Sequence, residues 1–92
     1  MSYMKNDIIT VITVAGEFIG KYVKEDATSL TIAKPKMLVN GEQGMGFGSG
    51  VCVTGEIDPS SMTFYVGGIV FTSLTSVAVG KSYIEATSGL IL

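Results

Sequence analysis

Short stretches of this chain read as β-strands, some β-branched throughout and others alternating apolar and polar positions with the two-residue period of a half-buried strand. Residues 8–15 are β-branched and uncharged, and Gly16 supplies a tight reversal. Residues 18–24 alternate, 25–28 form an acidic turn, and 29–33 alternate again. The stretch 11–38 is thus predicted to form a meander of three strands. Pro35 weakens pairing locally, and residues 36–39 are expected to resume as an extended edge segment.

Residues 40–50 carry five glycines and are predicted to be a mobile loop. Residues 51–57 alternate as a strand, 58–61 turn, and 62–66 are rich in β-formers, which reads as a hairpin. Gly67-Gly68 predicts a bulge or sharp bend. Residues 69–79 are strand-like, with a break at 72–76. Near the end, Ser82 and Glu85 have the spacing of a capping box, which predicts a short C-terminal helix stopping at Gly89.

Length constrains what such a sheet can do alone. A chain of 92 residues forms one domain, 1–92, and buries only about 60 to 65% of the surface it exposes when unfolded. Yet 47% of its residues are hydrophobic, 15% are charged, and mean hydropathy is +0.49. That apolar surplus predicts burial between subunits, hence a homo-oligomer. No apolar run reaches the roughly 18 residues of a membrane-spanning helix. The first residues lack the pattern of a cleavable signal, so the expected location is cytoplasmic.

The residue inventory excludes more chemistry than it suggests. There is no His, Arg or Trp, and the formal charge is -2. Five of the six lysines precede Met37. The single cysteine, Cys52, sits between two valines and reads as a packed thiol, with no internal disulfide possible. Serine nucleophiles have no histidine base, and the acidic turns supply too few ligands for a metal. Gly80-Lys81-Ser82 looks like the end of a phosphate-binding loop, but Thr75 stands where that pattern needs glycine. The glycine run 44–50 lacks the flanking strand, helix and acidic partner of a nucleotide site. The expectation is a chain that is not an enzyme and has neither cofactor nor metal.

Gly20, Tyr22-Val23, Asp26, Leu30 and Ile32 follow an order of glycine, apolar strand, aspartate and apolar strand. In this the chain resembles the Sm and Sm-like proteins, the LSm and Hfq-type family. With its tail 83–89 it is most similar to the small Sm-like proteins of marine cyanophages. Thr28 stands where that family has a base-stacking side chain, Ser29 lies nearest to its asparagine, and its Arg-Gly motif is absent. The resemblance implies a strongly bent five-stranded antiparallel sheet, a small open barrel, whose edge strands pair between subunits. The implied assembly is a pentameric to heptameric ring with a central pore. It also implies a phage-encoded protein in the host cytoplasm that binds single-stranded RNA or DNA, with a role in nucleic-acid processing. The residues expected at that interface are Lys24, Asp26, Thr28, Ser29, Thr72 and Ser73. The alternative is a structural or protein-binding ring whose nucleic-acid site has decayed.

Overall fold

The computed structural model describes residues 3–42, 44–48 and 54–88. They form a mainly β protein, a six-stranded antiparallel sheet that is not closed, with one C-terminal helix. The strands are β1 (Ile8–Thr13), β2 (Gly16–Glu25), β3 (Ser29–Gly41), β4 (Gly44–Gly48), β5 (Ser61–Tyr65) and β6 (Ile69–Leu74), and the helix is α1 (Val77–Thr87). Along the sheet the order is β4-β3-β2-β1-β6, and β5 pairs with β3. Each chain reversal predicted at Gly16 and at the acidic turn is present.

β3 decides the shape. Its first half, Ser29 to Ala33, pairs with β5, and its last residues, Met37 to Gly41, pair with β4 on the same edge. Between the two lie Lys34, whose φ is 48°, and Pro35, which has no N–H to donate. The Lys34 amide still finds the Ser60 carbonyl at 2.9 Å. On the other edge, the register with β2 shifts between Ile19 and Lys21, so that β3 carries an extra residue opposite Gly20. Such bulges bend a strand and increase its twist. Gly20 tolerates the resulting closeness because it has no side chain. A Cβ there would lie 2.7 Å from Ile32 Cδ1 and 2.9 Å from the Ala33 carbonyl oxygen.

Bending gives the sheet a concave face filled by Ile9, Val11, Phe18, Leu30, Ile32 and Phe64. The rings of Phe18 and Phe64 meet at 5.1 Å and 59°. Burying each such side chain contributes roughly 1.5–3 kcal/mol. Ile19 points the other way from Phe18, and it is also fully buried. Thr10 and Thr75 share a hydroxyl hydrogen bond of 2.8 Å under the start of the helix. Tyr83, buried in α1, packs edge-on against Phe47 of β4 at 6.0 Å.

Several expectations are corrected. Among the described residues the sheet has six strands rather than five, and residues 44–48 are paired as β4 and not a loop. Glycine carries no side-chain period, but its backbone groups complete the ladder with residues 37–41. Residues 54–57 are bends and irregular chain rather than strand. The helix begins at Val77, with the Ser76 side chain accepting from the Val79 amide at 3.4 Å, so Ser82 and Glu85 lie within it. Gly80-Lys81-Ser82 is therefore helix interior. Cys52, the start of the strand predicted over 51–57, and Gly89 lie outside the described residues. Among the described residues, no helix is long and apolar enough to cross a membrane.

Candidate functional site

The acidic turn between β2 and β3 is organised by one oxygen. Asp26 Oδ1 accepts from the amides of Thr28 and Ser29, both at 2.9 Å, and from their hydroxyls at 3.2 and 3.1 Å. An aspartate bonded to the backbone two residues on locks a turn of this kind. These bonds, led by the Thr28 amide and the Ser29 hydroxyl, hold the Asp26 carboxyl below its ordinary value.

A second turn, the 3₁₀ turn Val66–Gly68 between β5 and β6, leans on the first. The Val66 amide donates to the Thr28 carbonyl at 3.0 Å. Between them lies a groove of about 400 Å³, lined by Glu25, Asp26, Ser29, Leu30, Val66, Ile69, Phe71 and Thr72. Leu30, Val66, Ile69 and Phe71 make its apolar surface. Val66 and Phe71 are 55% and 56% exposed, so the groove is open to solvent.

Two tyrosines support its polar side. Tyr3 and Thr72 share a hydroxyl hydrogen bond of 2.9 Å, the rings of Tyr3 and Tyr22 meet at 5.7 Å, and the Tyr22 hydroxyl donates to Glu25 Oε1 at 3.2 Å. Desolvation pushes the Tyr22 phenol above its ordinary value, and the Glu25 carboxylate adds to the shift. The chain Thr72–Tyr3–Tyr22–Glu25 thus joins β6 to the end of β2.

Of the six residues expected at an interface, the groove brings together Asp26, Ser29 and Thr72. Thr28 stays on the exposed outside of the turn. Lys24 pairs with Thr31 while Glu25 pairs with Leu30, which puts Lys24 on the face opposite the groove. Ser73 alternates away from Thr72, and its hydroxyl donates to the Leu74 carbonyl at 2.9 Å. Sequence reading missed Glu25, Leu30, Val66, Ile69 and Phe71. The one local signal for them was Gly67-Gly68, which reverses the chain and returns Phe71 toward the acidic turn.

Chemically, the groove offers carboxylate and hydroxyl oxygens beside an apolar wall, and no lysine lines it. Among the described residues, no three metal-ligating side chains converge. Compared with protein-family models, with curated proteins and with solved structures, the chain has no match.

Proposed function

We propose that this chain is the subunit of a homo-oligomeric Sm-like ring with a structural or protein-binding role. Among the described residues, β5 and β6 each pair on one side only. Tyr65, Val70, Phe71 and Leu74 on these two strands are all more than half exposed. Pairing β5 of one copy with β6 of the next would satisfy both edges and cover apolar surface, and repetition around an axis closes the ring.

The observation that carries the role is the charge of the groove. It contains three of the residues that the resemblance associates with single-stranded nucleic acid, yet it presents Glu25 and Asp26 and no lysine. Phosphate binding gains its affinity from cations. The Thr28 and Ser29 hydroxyls, both donating to Asp26, are already used within the turn. A second reading, binding of single-stranded RNA or DNA, is favoured by one feature, the exposed Lys24 on the other face of β2, which a ring would repeat in every subunit.

Native mass spectrometry with an ultraviolet absorbance ratio tests both. The proposal expects a discrete multiple of the subunit mass and no co-purified nucleic acid, and a Val70→Lys variant should shift the mass toward the monomer. A monomeric wild-type chain overturns the ring. Tight binding of oligo-U, oligo-A or single-stranded DNA at about 20 mM salt, lost in Lys24→Ala, establishes the second reading instead.

A further inference from the structure

We infer that a second groove, between the end of β6 and α1, receives Ile57 from the next copy of this chain, an inference that rests on the ring proposed above and adds a side-chain contact to its strand junction. The groove measures about 550 Å³, and Ile8, Leu74, Val77 and Ile84 make its apolar surface. Val77 is 89% exposed, and Leu74 is more than half exposed. Because Leu74 is also the last residue of β6, the groove continues the edge on which the next copy pairs.

Strand direction decides which part of the next copy arrives there. An antiparallel junction, the form of every strand pair in this sheet, sets the end of β6 beside the start of the neighbour's β5 and carries the residues before Ser61 into the groove. Ile57 lies within about 14 Å of chain from Ser61 and is 83% exposed. A parallel junction would deliver Val66 instead. Charge favours the first arrangement. Glu56 stands next to Ile57 in the chain, and Lys81, one helical turn beyond Val77, lines the groove with no ion-pair partner among the described residues. Glu85 comes a further turn along, and the turn Val66–Gly68 has no acid to offer Lys81. Burial of Ile57 against Val77 and Leu74 removes apolar surface from water on both copies.

The loop that carries Ile57 is fixed on its own subunit. Asp58 Oδ1 accepts from Lys36 Nζ at 2.6 Å, and the Ser60 carbonyl accepts from the Lys34 amide at 2.9 Å. Association therefore orders little of it. The same bonds hold Asp58 and Ser60 beside Ala86 and Thr87 of their own helix, about 14 Å of helix rise from Val77. A contact between Ile57 and Val77 is thus a contact between two copies.

The test is a disulfide cross-link in the whole protein. Ile57→Cys and Val77→Cys are combined in a Cys52→Ser background, oxidised with copper phenanthroline and run on a non-reducing gel, with circular dichroism and native mass recorded on every variant. The expected result is a ladder of linked subunits that a reductant collapses, present in the double variant and absent from either single one. Lys81→Glu should raise the subunit concentration at which the ring dissociates about fivefold, the change for one ion pair at an exposed site, and Glu56→Lys in the same chain should restore it. A folded, oligomeric double variant that forms no ladder overturns the inference and leaves the ring standing. So does a ladder formed by Val66→Cys with Val77→Cys in place of the Ile57 pair, or a link that stays within one subunit of an oligomeric variant. A monomeric native mass of the wild type overturns the ring, and this contact with it.

Discussion

The hydroxyl of Tyr83 donates to the carbonyl of Lys34 at 2.5 Å, across 49 positions of sequence. It also lies 3.4 Å from the Ala33 carbonyl. Lys34 is where β3 passes from one partner strand to another, so the helix is anchored at the bend of the sheet. A bulge with a positive φ leaves carbonyls outside the ladder, and buried acceptors of that kind need a donor. Tyr83 supplies it while its ring fills the space beside Phe47.

Tyr83→Phe keeps the ring and removes the donor. It should lower stability by about 1 kcal/mol, the usual effect of losing a hydrogen bond to a partly buried carbonyl. Urea unfolding would show the loss, with the slope unchanged if the helix stays docked.

Alkaline conditions should act through the same group. Burial, with the Asp58 carboxylate adding a smaller push, raises the Tyr83 phenol from 10.0 to about 12. The folded chain then holds a proton that the unfolded chain has released. Stability contributed by Tyr83 is complete below pH 10 and declines as pH rises toward 12. Melting temperatures measured across that range should fall more steeply for the wild type than for Tyr83→Phe.

Gly20→Ala tests the bend itself. The new methyl group would meet the backbone oxygen of Ala33, which cannot swing aside as a side-chain tip can. A loss of about 1–3 kcal/mol is expected, as for other overpacked sites. A crystal structure of the variant should show β2 and β3 moved apart near Ile32. Unchanged stability would mean that the bulge accommodates the methyl freely.

Asp26→Asn keeps an acceptor at Oδ1 but removes the charge. Because its carboxyl is held below 3.8 in the folded chain, Asp26 stabilises the fold above that pH and ceases to as pH falls through its folded value. The variant should melt a few degrees lower at neutral pH and show a shallower acid decline. Identical acid profiles would remove the turn from the list of acid-sensitive contacts.

Legibility differed from element to element for physical reasons. Phe18, Leu30 and Ile32 announce themselves by alternation, since a strand with one face buried must repeat every second residue, and Ile9 and Val11 by their place in a β-branched run. Gly44 to Gly48 gave no such sign, because pairing there rests on backbone groups that every residue carries. The capping-box spacing placed the helix cap at Ser82. Ser76 caps α1 because β6 ends at Leu74, where the Thr75 amide donates to the Ile8 carbonyl at 3.0 Å and its hydroxyl meets Thr10. Ser82 is left in the helix interior by that choice.

Sequence alone determined the β character, the acidic turn, the reversal at Gly16 and the presence of a C-terminal helix, all of which follow from local periodicity and turn chemistry. Tertiary structure decided where β3 bends, which cap the helix uses and that Glu25, Asp26, Ser29 and Thr72 share one groove with Phe71. These last features depend on contacts such as Tyr3 with Thr72 and Val66 with Thr28, between residues far apart in the chain. Periodicity reports which face a side chain takes in its own strand. It carries no record of which distant turn will come to rest against it.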